Sequence, residues 1–223
     1  MEDFVSGIFI KELKNRFLCL VLIDDHEEVC YVPSSCHLSN FLDLKGKKVL
    51  LSPNRTKETR TKYALFAVPY KKNYIVLNTS MANDAIEGSI RSRRFSFLGN
   101  RNCIEKEYKY NGYKCDFFIR DTETVIEIKS IISTQEVACF PTVYSERGIR
   151  QLQQLCKHLQ NGKKALYCIV SLHPYVKQIE LDSESEWFYE LKKCMDLGLR
   201  LVAYSSRLTS SCLKIDKELE VLY

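Results

Sequence analysis

Short runs of apolar and β-branched residues, separated by turn residues, fill the first third of the chain. Runs of this kind predict β-strands, and we place them at residues 16–23, 28–33, 47–51, 62–68 and 74–78. Five strands in so short a stretch are typical of a small closed barrel of the OB type, a fold that often binds nucleic acid. The predicted barrel core comprises Phe17, Leu20, Leu22, Val49, Leu51 and Leu65.

Apolar residues recur at helical spacing over residues 79–93, so the pattern changes there from strand to helix. The order that follows is three strands, a helix, a strand, a helix and a strand, which describes an α/β (α+β) sandwich with a mixed sheet. We therefore divide the chain into a nucleic-acid-binding barrel, residues 1–80, and an α/β domain, residues 81–223. The predicted elements after the first helix are 104–110, 113–119, 124–130, 146–162, 165–171, 187–197 and 199–204.

The stretch 115–130 carries the candidate chemistry. Side chains alternate along a strand, so Glu127 and Lys129 share one face, and a hairpin would bring Asp116 beside Glu127. Two carboxylates suit a hard cation such as Mg²⁺ or Mn²⁺, with Asp116 and Glu127 as its ligands. A neighbouring lysine can orient a water molecule. The two carboxylates, a bound cation and this lysine are together the groups that metal-assisted phosphodiester hydrolysis requires. The alternative is that Glu-x-Lys forms an exposed ion pair on a strand.

Other charged residues are candidates for the same site. Glu107 on the sheet and Glu87 on the first helix are both candidates for a third acidic residue of the catalytic site. The alternative for each is a solvated glutamate. Arg147 and Arg150, near the start of a predicted helix, are candidate contacts to a phosphate. Plain helix-surface charge is the equally open alternative for both arginines.

Basic residues cluster unevenly along a chain whose net charge is only +5. The stretch from Lys45 to Lys72 contains nine Lys and Arg residues and only one acidic residue, Glu58. Such a cluster fits a polyanionic partner, and the alternative is a solvated surface. Within the predicted barrel, phosphate contacts are assigned to Arg16, Arg60 and Lys62. The aromatic residues that could stack on bases are Tyr31, Tyr63 and Phe66. The alternative is a place in the barrel core, which suits Phe66 better than Tyr31.

Composition narrows the classes of protein. The 223 residues include no apolar run long enough to span a membrane, and the N-terminus does not resemble a secretion signal. The ten cysteines lack zinc-ligand spacing and mostly lie in apolar runs, which predicts reduced, buried thiols. We therefore expect a cytoplasmic protein without membrane contact, and a homodimer is an open alternative to a monomer.

Motifs along the whole chain resemble the sugar fermentation stimulation protein (SfsA) family, within the PD-(D/E)xK nuclease superfamily. The resemblance implies an N-terminal OB-type barrel joined to a nuclease-like domain in which Asp116, Glu127 and Lys129 form the catalytic trio. The matching stretches are Arg16-Phe17, Pro33, Gly46, Arg60-x-Lys62-Tyr63, Asn78-Thr79, Glu107, Asp116-Phe117, Glu127-Ile128-Lys129-Ser130, Phe140-Pro141, Glu146-Arg147-Gly148 with Leu152 and Leu155, and 201–204.

Three single residues and one tripeptide depart from the family pattern. Lys114 replaces an Arg, Thr142 an Asp and Gln151 a His, and Ser34-Ser35-Cys36 replaces Asn-Thr-Gly. The retained trio implies Mg²⁺- or Mn²⁺-dependent cleavage of DNA or RNA held by the barrel. One rival hypothesis is a non-catalytic DNA-binding regulator of sugar metabolism genes. Another is a partner-binding protein that uses the barrel for protein contacts.

Overall fold

Five strands near the start of the chain close into a barrel. The computed structural model describes residues 4–34, 37–54, 60–110, 113–210 and 212–223. The strand order is β3-β2-β1-β4-β5, and a bridge between Tyr31 and Ala64 joins β3 to β5 and closes the barrel. The predicted OB-type fold is thereby confirmed. The strands of this region are β1 (Val5–Glu12), β2 (Leu18–Ile23), β3 (His26–Tyr31), β4 (Lys48–Pro53), β5 (Tyr63–Tyr70) and β6 (Asn73–Val76), the last pairing with β5 outside the closure.

The barrel differs from the prediction in two ways. Strand β1 was not predicted, and its Gly7 crosses so close to β2 that a methyl group there would lie 2.5 Å from Val21 Cγ1. Val49, Leu51 and Leu65 are buried as predicted. On β2 the prediction chose the wrong face, because the strand buries Cys19, Val21 and Ile23 and leaves Leu20 and Leu22 only half-buried. Phe17, which precedes β2, is 38% exposed and was also wrongly placed in the core.

An eight-stranded mixed sheet, in the order β12-β14-β16-β15-β13-β11-β10-β7, is the centre of the rest of the chain, and β8 and β9 form a separate two-stranded sheet. Strands β11, β13 and β15 run parallel, whereas β10 and β7 are antiparallel to their neighbours. The predicted mixed-sheet α/β architecture is thereby confirmed. The elements are α1 (Met81–Ser89), β7 (Ile104–Lys106), β8 (Lys109–Tyr110), β9 (Tyr113–Lys114), β10 (Phe117–Ile119), β11 (Thr124–Ile131), β12 (Val137–Phe140), α2 (Glu146–Gln160), β13 (Lys164–Ser171), β14 (Gln178–Leu181), α3 (Glu186–Asp196), β15 (Arg200–Thr209) and β16 (Cys212–Leu222).

The two faces of this sheet pack against different partners. Ile126 and Ile128 of β11 join an apolar cluster that contains α1 and the barrel core. Val125, from the opposite face, joins a second cluster with the apolar residues of α2 and α3. Because side chains alternate along β11, Glu127 and Lys129 project toward α2 and α3. The barrel and the sheet share one buried cluster, so the position of the cavity described below is set by both regions.

Several elements have other bounds in the structure than the sequence predicts. The strands predicted at 104–110 and 113–119 are each broken, the first at Glu107, whose φ is 51°. The short strands β12 and β14 and the long strand β16, which lies between β14 and β15, were not predicted. The Asn111-Gly112 turn expected between the first two strands lies outside the described residues.

Cysteine burial is mixed. Of the described cysteines, Cys19, Cys30, Cys115, Cys168 and Cys194 are buried free thiols, as expected for small apolar residues. Cys103, Cys139 and Cys212 are exposed, which the prediction of buried thiols did not anticipate. Among the helices of the described segments, none is both long and apolar enough to cross a membrane.

Candidate metal centre

Strand pairing brings the two candidate carboxylates together. Strand β10 pairs with β11 in antiparallel register, with Phe117 opposite Ile126. One step beyond this pair stand Asp116, just before β10, and Glu127 of β11, so the two lie side by side as the hairpin prediction required. Each is also held by hydrogen bonds from other elements of the α/β region.

Glu127 is a buried carboxylate with two donors. Its side chain is 2% exposed; Oε1 accepts a hydrogen bond from Lys129 Nζ at 2.5 Å, and Oε2 accepts one from the Tyr113 hydroxyl. Burial raises the pKa of Glu127, the Lys129 ammonium opposes that rise, and the charge of Asp116 adds to it. The position therefore holds a carboxylate away from water, in a place where an additional positive charge would stabilise its ionised form.

Asp116 is fixed by its own donors. Its Oδ2 accepts the backbone N–H of Ile128 at 2.7 Å, which ties the carboxylate to the neighbouring strand. Its Oδ1 accepts from Asn83 Nδ2 at 3.0 Å, which ties it to α1. The orientation of Asp116 therefore depends on how the first helix packs against the sheet.

Lys129 lies between two acceptors. Besides Glu127, its ammonium donates to Gln151 Oε1 on α2 at 2.7 Å, and the side chain remains 24% exposed. In the sequence, Gln151 stands out as a departure from the family pattern. The roles of Tyr113 and Asn83 as donors were missed, and neither residue stands in a pattern that marks it. Their contacts arise from the packing of separate elements against the carboxylates.

A cavity of about 660 Å³ opens above these groups. The barrel contributes Arg16, Ser34 and Phe41 to its wall, and the segment that leads into α2 contributes Tyr144 and Arg147. Tyr167, opposite Glu127 on β13, is fully buried beside the acidic pair, and burial raises the pKa of its hydroxyl. The carboxylates therefore lie at the floor of a pocket that both regions of the molecule build.

The other acidic candidates are placed differently. Glu107 lines the cavity, but its side chain is 73% exposed and forms an ion pair with Lys114 at 2.8 Å, which lowers the pKa of Glu107. Glu87 forms an ion pair with Lys106 and is absent from the described cavity wall. The structure therefore brings Glu107, but not Glu87, to the pocket of Asp116 and Glu127.

Of the residues predicted to contact nucleic acid, some line the cavity and others lie elsewhere on the surface. Arg16 and Arg147 are exposed residues of the cavity wall. Arg150 pairs with Glu146 at 3.3 Å on the surface of α2, and Lys62 pairs with Glu28 at 2.9 Å on the barrel. Arg60 is exposed next to residues 55–59, which lie outside the described chain. Among the described residues, no basic side chain between Lys45 and Lys72 lines the cavity.

The donor set fits some cations better than others. Each of the four carboxylate oxygens of Asp116 and Glu127 accepts one hydrogen bond and keeps a second lone pair for a ligand. The described residues contain no group of three or more His, Cys, Asp and Glu side chains that could form a closed protein cage. Mg²⁺ characteristically uses one or two carboxylates and fills its remaining positions with water and phosphate oxygens. The two carboxylates therefore fit an ion of that type.

Comparison with known proteins agrees with this architecture. Residues 13–77 match the family model described as the SfsA N-terminal OB domain. Residues 80–212 match the model described as the sugar fermentation stimulation protein RE domain. A sugar fermentation stimulation protein homolog of Ruminiclostridium cellulolyticum is 26% identical over 99% of this chain and 98% of its own length. The homolog of Thermotoga petrophila is 28% identical over 74% of this chain and 71% of its own.

A solved structure has the same fold. It is Pyrococcus furiosus SfsA in complex with Ca²⁺, which superposes with a TM-score of 0.86 and covers 100% of this chain and 97% of that one at 22% sequence identity. The second family model alone spans more than half of the sequence. The chain therefore belongs to the sugar fermentation stimulation protein (SfsA) family.

Proposed function

We propose that this protein is a phosphodiesterase that depends on Mg²⁺ or Mn²⁺ and acts on nucleic acid. One observation carries the proposal: Asp116 and Glu127 lie side by side at the floor of a cavity, with the Lys129 ammonium donating to Glu127. Two adjacent carboxylates offset by a single lysine leave an excess of negative charge in a poorly solvated place. A divalent cation would neutralise that excess.

The residues of the cavity floor have separate roles in this proposal. Asp116 and Glu127 would hold the cation, which supplies a Lewis acid and lowers the pKa of a bound water. Lys129 is fixed by Glu127 and Gln151, so its remaining N–H can orient the attacking water or donate to a phosphate oxygen. Tyr113 and Asn83 keep the carboxylate oxygens in place before the substrate arrives.

The wall of the cavity suits a phosphodiester. Arg16 and Arg147 supply positive charge at its mouth, and the first turn of α2 faces the same space through Ser145 and Gly148. The dipole of a helix favours anions near its N-terminus, although the Gly148 N–H itself donates to the Ser145 hydroxyl at 3.1 Å. The Ca²⁺ bound by the SfsA of Pyrococcus furiosus supports a divalent cation in this family.

A second candidate is a DNA-binding protein without turnover, acting as a regulator of sugar metabolism genes. Burial of Glu127 favours it, because a carboxyl whose pKa is raised binds a cation less readily than an ordinary one. The name shared by the relatives, which refers to sugar fermentation, also fits a regulator. The two candidates share the nucleic-acid surface and differ only in whether the acidic pair is used.

A cleavage assay separates the two candidates. Purified protein is incubated with labelled single- and double-stranded DNA and RNA, with Mg²⁺, with Mn²⁺ and with a chelator. We expect cleavage that requires the cation, is abolished in Glu127→Gln and is strongly reduced in Lys129→Ala. Glu184→Gln, an exposed glutamate outside the described cavity wall, is the matched control and should cleave like the wild type. Binding without cleavage by the wild type would favour the regulator.

A further inference from the structure

Two exposed aromatic side chains flank the cavity, and neither is explained by core packing. Tyr144, in the segment that leads into α2, is 74% exposed and belongs to the cavity wall. Phe17, just before β2 of the barrel, is 38% exposed, and the guanidinium of Arg16 lies 4.8 Å from the centre of its ring. Arg16 lines the cavity, so Phe17, which contacts it, lies beside the wall without being one of the wall residues. Each region thus presents one aromatic ring near the same opening.

Each of these rings is accompanied by an arginine. Arg16 precedes Phe17, and Arg147 follows Tyr144 by three residues and lines the same cavity. Among the described residues, neither arginine forms an ion pair, whereas Lys114 at the same cavity is paired with Glu107. The surface beside the cavity therefore offers two guanidinium groups without an ion-pair partner among the described residues and two exposed aromatic rings for planar, uncharged groups.

This combination selects one form of nucleic acid. Proteins that hold single strands combine a positive groove for the backbone with aromatic side chains on which bases stack. A paired base inside a duplex keeps its faces stacked on its neighbours, so it has no free face for Phe17 or Tyr144. We propose that the cavity takes single-stranded nucleic acid, with unpaired bases stacked on Phe17 and Tyr144 and their phosphates contacting Arg16 and Arg147.

The depth of Asp116 and Glu127 in the cavity also favours a single strand over a duplex. Glu127 is buried at the cavity floor, and Lys129 reaches the space with only 24% of its side chain exposed. A duplex is stiff, with a persistence length of about 150 base pairs, so bending its backbone into a pocket is costly. A single strand can turn at each nucleotide and lower one phosphate toward Lys129. This inference rests on the proposed function for the choice of substrate class, but the stacking contacts are measurable without cleavage.

Binding in a chelator tests the inference apart from turnover. The probes are a labelled oligothymidylate, which does not fold on itself, and a duplex of the same length. We expect the oligothymidylate to bind more tightly, and Phe17→Ala and Tyr144→Ala each to weaken its binding by about tenfold while the duplex changes by less than about twofold. Tyr144→Phe, which keeps the ring, should bind like the wild type. Tyr189→Ala removes a 61%-exposed tyrosine that is absent from the cavity wall, and it should have no effect.

The outcomes distinguish this inference from the proposed function. Equal affinity for both probes, or unchanged oligothymidylate binding in both alanine variants, overturns the single-strand inference. The same two probes are then incubated with Mg²⁺; rapid cleavage of the duplex overturns the single-strand inference too, while the phosphodiesterase proposal stands. Selective binding through Phe17 and Tyr144 without any cleavage of either probe supports the inference and contradicts the phosphodiesterase proposal.

Discussion

The sheet and the barrel use charged side chains in opposite ways. On the sheet, Asp116, Glu127 and Lys129 are withdrawn from water, and each is fixed by hydrogen bonds from neighbouring elements. On the barrel, Arg60 and Lys62 are exposed, and Lys62 meets Glu28 in a solvated ion pair. Buried charges interact strongly and depend on geometry, whereas exposed charges are screened and largely interchangeable. Single substitutions should therefore have large effects on the sheet and small ones on the barrel surface.

The largest difference in cleavage rate is expected between two variants, each of which replaces one of the two glutamates that line the cavity. Glu127→Gln should lower the cleavage rate by at least about 100-fold and remove the rise in melting temperature caused by Mg²⁺. Glu107→Gln, at an exposed and ion-paired position, should change the rate by less than about threefold. Cleavage rates and thermal melts over a Mg²⁺ titration measure both effects. Equal losses in the two variants would show that exposure does not separate the roles of these carboxylates.

A buried histidine at the seam between the two regions should make stability depend on pH. His173 packs against Tyr70 of β5, its Nε2 has no hydrogen-bond partner among the described residues, and burial lowers its pKa from 6.5 to about 4. The unfolded chain then binds a proton at a higher pH than the folded one. The contribution of neutral His173 to the free energy of unfolding should therefore be fully present above pH 6.5. It should fall by about 2–3 kcal/mol as the pH drops to 4.

Urea denaturation at several pH values measures this dependence. His173→Asn is the informative variant, because an amide oxygen can still accept the Tyr175 N–H that Nδ1 accepts at 2.9 Å. The variant should be less stable at neutral pH, yet its stability should vary less between pH 6.5 and 4. An unchanged slope would assign the pH dependence to other groups.

Inside the barrel, the close crossing of β1 and β2 should not tolerate a side chain at residue 7. A methyl group there would lie 2.5 Å from Val21 Cγ1 and 2.9 Å from the backbone oxygen of Leu22, and the backbone cannot rotate away as a side chain can. Gly7→Ala should cost about 2 kcal/mol of the free energy of unfolding through overpacking. Gly88→Ala is a matched control, since its added methyl group meets nothing within 4 Å. Equal stability of the two variants would contradict the close approach.

The sequence predicts best what depends on neighbouring residues. The placement of Asp116 beside Glu127 and of Lys129 on the same face follows from strand alternation and a hairpin register, both of which are local. Asn83, Tyr113 and Gln151 reach these groups only because α1, β9 and α2 pack around them, and no spacing in the sequence encodes that packing.

Strand β2 shows a different limit. Its sequence, Leu-Cys-Leu-Val-Leu-Ile, is apolar at every position, so alternation cannot tell which face is buried. The larger leucines were expected inside, but the barrel is narrow where Gly7 crosses, and it buries Cys19 and Val21 instead. Strands β12 and β14, with four residues each, are too short to show a period at all.

The smallest effect is expected at the barrel surface. Arg60 is exposed and outside the described cavity wall, so Arg60→Ala should weaken nucleic-acid binding about two- to threefold, to a similar extent for every sequence. If the arginine contacts a phosphate, its loss should reduce the slope of log affinity against log salt by about one, because one fewer counterion is released. Fluorescence anisotropy at several salt concentrations measures both quantities, with Arg150→Ala, an ion-paired arginine of α2, for comparison. An unchanged slope in Arg60→Ala together with a reduced one in Arg150→Ala would move the phosphate path from the barrel to α2.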